Sequence, residues 1–353
     1  MAISVTPASS QRINPSKHVV VTATQGTLST VSVTNSKRGS TASGGFSENR
    51  TKWESNEVLA FGATYAVVAK GVGTDGRPVI EKSTVSTIDP AKTSYTNTIP
   101  PQGGTTEGIG IGQPIVVRFN YPVQNKAEVQ QHLRVTSSPP QPGAWYWIDN
   151  KNVHYRPEEF WNPGTKVTVD ANLYGINLGN GVYDKQDRHE TYTVHSSWVA
   201  KADGNTHQMA IYHNGTNVKT MNISLGKDKT PTHEGIHVVS SKSQQVQMNS
   251  CSFGVCPPDP RAYDVTEYWG ERISNDGEFV HENPDSVSAQ GHSNVSHGCI
   301  NLNKADAMWF FHHFNPGDVV IVSNSGGPKL PVWDLYGDWS LPWSQWKAGN
   351  TTS

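Results

Sequence analysis

Residues 281–303 read HENPDSVSAQGHSNVSHGCINLN, and the reactive side chains crowd there. His281, His292, His297 and Cys299 fall within nineteen residues of polar, Gly- and Ser-rich sequence. Three chemistries fit such a set. His and Cys ligate zinc, but the spacing is irregular and no H-x3-H pair on a helix accompanies it. A cysteine also serves as a small buried hydrophobe, yet this one lies in a stretch almost without apolar residues. The third chemistry is a nucleophile with its base. A histidine just ahead of Cys299 favours the thiolate, and Gly298 leaves room for a substrate carbonyl. Spacing alone leaves the three open, with nucleophile and base the strongest of them.

The chain that must position these groups has 353 residues, too many for one ordinary domain. Its net charge is −2, and no basic run or Lys/Arg stripe is present. Nucleic acid is therefore not expected as a partner. Thr, Ser, Val and Gly abound, which favours many short strands that each bury one face. No run of eighteen apolar residues exists, so no transmembrane segment is expected. The opening MAISVTPASSQRINPSKHVVV lacks the apolar core of a signal peptide or anchor, while the composition has an extracellular character. Three cysteines, Cys251, Cys256 and Cys299, are an odd count, which in an exported chain suggests one bridge and one free thiol. Cys251 and Cys256 are close enough to pair, and closing so short a loop stabilises by about 2 kcal/mol. Two free thiols are the alternative. Metal is a weaker one, because C-x4-C is not a usual zinc spacing and two more ligands would be needed.

Residues 1–90 alternate as strands do. KHVVVTATQGTLSTVSVTN reads as one hairpin, and TYAVVAKGVGTDGRPVIEKSTVSTI as another that turns at Asp75-Gly76. An immunoglobulin-like β-sandwich is expected there. The Pro-, Gly- and Thr-rich residues 89–108 read as a boundary. A second unit, residues 91–195, follows with the strand QPIVVRFNYPV, the short helix NKAEVQQHL with Asn125 as its cap, and the hairpin KVTVDANLYGINLGNGVY. Trp145, Trp147, Tyr155 and Trp161 read as core, with a sugar platform as the sharper alternative. The third unit, residues 196–327, opens with a hairpin at Asn214-Gly215 and turns again at Asp276-Gly277 ahead of His281. After the cysteine motif, NKADAMWFFHHF reads as a helix capped by Asn303, and DVVIVS as a buried strand. Residues 328–353 carry four Trp and are expected to fold back over the catalytic domain, out of solvent.

SHGCINLN, with His281 eighteen residues before Cys299, resembles the signature of the L,D-transpeptidases of the bacterial cell wall, the YkuD-type fold. GIHVVSSK, VQMNSCSFGV, SVSAQGHSNVSHGCINL and GDWSLPWSQWKAGN are similar to the mycobacterial members, in the family's order. The resemblance runs from the second domain onward, and the first domain matches in architecture only. It implies a mainly β fold: two immunoglobulin-like domains, then a YkuD-type catalytic domain with one helix after the cysteine motif and a Trp-rich C-terminal extension. It implies a thiol acyltransferase without cofactor or metal, exported to the cell envelope. The donor would be a peptidoglycan tetrapeptide stem and the acceptor the side-chain amine of a second stem. Release of D-alanine would give a 3→3 cross-link, and carbapenems would acylate the same thiol.

The residue roles follow from the resemblance too. Cys299 is the nucleophile and His281 its base, oriented by the main-chain carbonyl of Glu282. Tyr263 and the amides around Gly298 and Cys299 would hold the oxyanion. Met248 would line the substrate channel, while Ser296, His297 and Asn301 would hold the loop or the substrate. Glu282 departs from the family's Gly or Ser and raises the question of a carboxylate beside the base. The Cys251/Cys256 pair is likewise unusual in the active-site lid. A cysteine hydrolase cutting stems, and a non-catalytic wall-binding protein, remain the rival functions.

Overall fold

The computed structural model describes residues 1–8, 11–100, 108–259 and 262–351, so residues 101–107 of the boundary stretch 89–108 and the last two residues of the tail lie outside the described residues. The chain is mainly β and forms two compact units. Neither unit is contiguous: the first takes residues 1–96, 120–132 and 172–187, the second residues 97–119, 133–171 and 188–353. Domain limits expected at residues 90 and 195 do not capture this interleaving. Chain segments of one stretch join both units, and hydrophobic alternation carries no information about that.

The first unit is a sandwich of two four-stranded sheets around one core that includes Val19, Val21, Leu28, Val33, Trp53, Val67 and Val85. The expected hairpin at Asp75-Gly76 is present, joining Thr64–Gly73 to Pro78–Thr87 with Gly76 at φ +77°. The other expected hairpin is not. Val20–Thr24 and Gly26–Asn35 belong to different sheets, and the chain changes sheet at Gln25, φ +57°. Lys126–Gln131 is helical, but Asn125 does not cap it, because its side-chain amide donates to the Asn177 carbonyl instead.

In the second unit, Ile115–Phe119, Gly143–Trp147 and Asn152–Pro157 form one sheet, and Leu133–Ser138, Lys166–Ala171 and Arg188–Thr193 another. KVTVDANLYGINLGNGVY is thus not one hairpin: its first strand pairs on both sides with distant strands, and only Asn177–Gly179 and Val182–Asp184 form a hairpin. Trp147, Tyr155 and Trp161 are buried, which leaves the core reading of these aromatics.

The rest of this unit carries the reactive groups. Its strands are β1 (Trp198–Asp203), β2 (Gln208–His213), β3 (Thr216–Asn222), β4 (Gly235–Val238), β5 (Ser241–Asn249), β6 (Asp264–Arg272), β7 (Phe279–Glu282) and β8 (Ile300–Leu302). Helix α1 (Lys304–His313) and strand β9 (Val319–Ser323) follow. They form a five-stranded sheet ordered β3-β2-β1-β9-β4 and a four-stranded sheet ordered β5-β6-β7-β8. Val280, Ile300, Leu302, Phe310, Phe314 and Val320 share one core. Asn303 accepts from the Asp306 amide at 3.0 Å, and Asp306 stands in the first turn of α1 where the helix dipole favours an anion. The helix therefore starts where the cysteine-bearing strand ends, and it packs on β6 and β7.

The C-terminal tail differs from expectation. It does lie over β4, but its helix α2 (Trp343–Ala348) sits against Gly143–Trp147. Trp339 Nε1 donates to the Gly112 carbonyl and Trp346 Nε1 to the Ala144 carbonyl. Trp333 stays 59% exposed, so one of the four indoles is left in solvent after all.

Candidate active site

One face of the four-stranded sheet assembles the site, and its register explains why. Cross-strand partners share a face, and neighbours along a strand alternate. Met248 pairs with Val265 and Val246 with Glu267 across β5 and β6. Tyr268 pairs with Glu282 across β6 and β7, so Glu267 and His281 share the opposite face. His281 pairs with Asn301 on β8, and Cys299 precedes Asn301 by two positions on the same side. Met248, Tyr263, Val265, Glu267, His281, Asn283, Ser296, His297, Cys299 and Asn301 accordingly line one cavity of about 340 Å³.

A bulge interrupts this pattern. Between Tyr268 and Glu271 the β6–β7 register shifts, with Trp269 at φ +55°. Past the bulge, Glu271 pairs with Val280, a core residue, and is fully buried. Without the bulge it would share the cavity face with Glu267.

Cys299 is a free, buried thiol whose Sγ lies 3.6 Å from the Gly277 carbonyl. Gly298 before it has φ +125°, a conformation closed to L side chains. The turn is held by Ser296, whose Oγ donates to the Cys299 carbonyl at 2.6 Å and accepts from the Gly298 amide at 3.1 Å. The Gly298 N–H is thus already engaged. His281 is buried, and its Nδ1 donates to the Glu282 carbonyl at 2.7 Å. That bond fixes the ring and leaves Nε2 for the sulfur and substrate. Glu282's own carboxylate follows the alternation to the other face, beside half-exposed Tyr268.

The carboxylate that does stand near the imidazole is Glu267, with Oε2 3.7 Å from His281 Nδ1 and Oε1 accepting from Asn283 Nδ2 at 3.4 Å. Burial works against a charged His281. The Cys299 sulfur and the Glu267 carboxylate outweigh it, and the imidazole is pushed up to about 10. Tyr263 is pushed up to about 12, first by burial and then by Cys299 and Glu267, so its hydroxyl stays a donor. His297 stands exposed at the rim, 3.0 Å from Lys227 Nζ, with its ring tilted against Tyr263 at 5.7 Å. Partial burial of the ring and then Lys227 lower its pKa, so it is neutral at pH 7. Asn301 Nδ2 donates to Ser286 Oγ at 3.1 Å, while its buried Oδ1 has no hydrogen-bond partner among the described residues.

Of the residues singled out from sequence, Met248, Tyr263, His281, Ser296, His297, Cys299 and Asn301 meet at this cavity. His292 is exposed and does not line it. Cys251 and Cys256 form a disulfide beyond the end of β5, in the loop that returns to Tyr263. Ser250 ties the base of that loop: its amide donates to the Tyr263 carbonyl, and its Oγ accepts from the Tyr263 amide. Sequence reading missed Glu267, Asn283 and Ser286. Glu267 alternates with Val265 and Tyr263 in the sequence, a signal that the strand's register alone turns into a position.

A family model for the L,D-transpeptidase catalytic domain matches residues 197–322, and one for a bacterial Ig domain matches residues 10–177. L,D-transpeptidase 2 of Mycobacterium tuberculosis is 38% identical over 332 residues, 94% of this chain and 80% of that protein. L,D-transpeptidase 5 of the same species is 33% identical over 323 residues, 90% of this chain and 69% of that protein. Among solved structures, an LD transpeptidase in complex with imipenem superposes with a TM-score of 0.57 at 29% identity, covering 64% of this chain and 97% of that one. L,D-transpeptidase 3 from Mycobacterium tuberculosis, in complex with a faropenem-derived adduct, gives 0.54 at 28% identity with the same coverage.

Proposed function

The chain belongs to the L,D-transpeptidase family, and from that premise we propose that it forms 3→3 cross-links in peptidoglycan through a thioester on Cys299. The observation that carries this is a single cavity in which Cys299 faces a histidine whose other nitrogen is held by a backbone carbonyl. Cys299 attacks the carbonyl of the diacid residue at position three of a tetrapeptide stem. The Cys299 amide and the Tyr263 hydroxyl donate to the oxyanion, an arrangement worth several kcal/mol in a site shielded from water. His281 hands its Nε2 proton to the departing D-alanine. The amine of a second stem then attacks the thioester, gives its proton back to His281 and releases the sulfur.

Asn301 Oδ1, which has no hydrogen-bond partner among the described residues, is suited to accept a stem amide N–H, and Met248 with Val265 gives the stem an apolar wall. β-Lactams such as imipenem offer Cys299 a strained carbonyl in the same place. The catalytic domain spans residues 196–327, the sandwich domains before it act as spacers, and the enzyme works in the cell envelope.

The test is mass spectrometry of the purified enzyme with a tetrapeptide stem. Loss of D-alanine and a cross-linked dimer are expected, both abolished in Cys299→Ala with the fold intact. Hydrolysed stem without dimer would identify a peptidase instead. Turnover retained by Cys299→Ala would overturn the reading.

A further inference from the structure

Glu267 has no part in the scheme above, yet it stands over the base. Its side chain is 16% exposed, and its two oxygens reach His281 Nδ1 at 3.7 Å and Asn283 Nδ2 at 3.4 Å. It approaches the imidazole from the Nδ1 edge, away from the sulfur, where the Glu282 carbonyl already accepts the Nδ1 proton. Its influence is thus that of a second negative charge beside a ring that is already oriented.

The other titratable groups around His281 do not supply that charge. On β6, Glu271 is turned into the core by the bulge, where burial pushes its carboxyl pKa well up and disfavours the charged form, with Lys242 and His281 opposing. At the neck of the cavity Tyr263 is held neutral. On β7 itself the Glu282 side chain points to the opposite face. Asp285 lines the cavity from the turn after β7 but makes no ion pair with the ring. Ahead of β8, Cys299 is charged only while it is a thiolate.

We propose that Glu267 is a positioning residue for the transfer reaction, a carboxylate that favours a proton on His281 and so makes it the base for the incoming amine. The proposal rests on the acyl-transfer reading. In the first half-reaction the sulfur–carbon bond forms, the carbon–nitrogen bond to D-alanine breaks, and the Nε2 proton moves to that nitrogen. His281 is then neutral, and Cys299, now a thioester, no longer attracts a proton to it. In the second half-reaction the acceptor nitrogen bonds to the carbon, the carbon–sulfur pair returns to sulfur, and the surplus amine proton moves to Nε2. Over the cycle His281 gains and loses one proton. Only in the second half does the ring take up a proton with no thiolate to help, so Glu267 matters most there.

The experiment compares the full chain with E267Q and E267D. Three quantities are read: the pH dependence of imipenem acylation by intact mass, the thiolate ultraviolet absorbance against pH, and the separate rates of D-alanine release and dimer formation. An opposite charge at this distance shifts a titration by about 1–3 units. E267Q is therefore expected to lower the alkaline limb of acylation by about one unit or more. It should also slow dimer formation on the order of tenfold more than D-alanine release. E267D, which keeps the charge farther from the ring, should fall between. An E267Q limb that superimposes on the parent overturns the proposal while leaving acyl transfer standing. So does a loss confined to the KM for the acceptor, which would make Glu267 an amine-binding group. Should E267Q fail to fold, E267D decides: a lowered limb supports the proposal and an unmoved one overturns it. A parent enzyme that gains no imipenem mass would sink the acyl-transfer reading itself.

Discussion

At the scale of single residues, the nucleophile and its base were the legible part of the site. Cys299 and His281 stand out because both are reactive types in a stretch with few apolar residues to explain them. The carboxylate near the base was not legible. Glu282 drew attention by adjacency, but adjacent residues in a strand face opposite ways, and Glu267, fourteen positions upstream, is the one that reaches the imidazole. The charge on His281 yields a prediction with a definite sign. Its pKa is raised, so the protonated ring persists as pH rises and is lost only as pH passes through about 10. Acylation by imipenem should hold from neutral pH to that point and then fall, because the leaving nitrogen loses its proton donor. His281→Ala should remove this limb and slow acylation by about 10²–10⁴-fold, the usual worth of a general acid–base group. A fall of less than tenfold, with the limb still in place, would mean that another group supplies the proton.

At the scale of elements, hydrophobic alternation and turn chemistry located most strands of the catalytic half, the Asn214-Gly215 and Asp276-Gly277 turns, and the Asn303-capped helix. Register and pairing were not available from the same signals. Alternation says that Tyr263, Val265 and Glu267 share a face, but only the pairing of Met248 with Val265 and of His281 with Asn301 brings that face to the thiol. The bulge at Trp269 is the clearest case, since a non-glycine residue at positive φ is not announced by any turn motif. The disulfide was half legible: the odd cysteine count suggested a bridge, and proximity suggested which. Gly298 lets the element hypothesis be tested. At φ +125° an alanine is strained by about 1–3 kcal/mol, and relief requires the Ser296–Cys299 turn to move. Gly298→Ala should slow imipenem acylation on the order of 10²-fold, the usual cost of a ~1 Å misplacement, while the alkaline limb stays where His281 sets it. An unchanged rate would show that the turn tolerates other backbone conformations and that the glycine is incidental.

At the scale of the molecule, the C-terminal tail shows most plainly what a linear reading lacks. Four tryptophans were expected to seek cover, and the catalytic domain was the nearest apolar surface in sequence. Two of them instead meet the aromatic side chains Phe160 and Tyr146 and a buried cation. Arg156 is 2% exposed on the strand Asn152–Pro157, and its guanidinium lies 4.6 Å from the Trp339 ring and 4.7 Å from the Trp346 ring. It donates to the Asp338 and Leu341 carbonyls, and neighbouring His154 meets Asp338 at 2.8 Å. A guanidinium taken out of water needs acceptors and π-faces, and the tail supplies both from a distance of more than 180 residues along the chain. Burial lowers its pKa to about 10 even so, with Asp338 and then Glu158 opposing, and it stays charged at pH 7. An isolated arginine in a strand reads as a surface residue, so no local signal foretold this. Trp346, fully buried against Ala144, is the residue to remove. Trp346→Ala should cost about 3–5 kcal/mol, the range for truncating a large buried aromatic, read as a lowered urea midpoint at constant slope. Trp333→Ala, at a site 59% exposed, should stay within about 0.5 kcal/mol of the parent. Equal effects from the two would mean that neither burial nor the contact with Arg156 decides what each indole contributes. Arg156 adds to the difference, because only one of the two rings covers the charge.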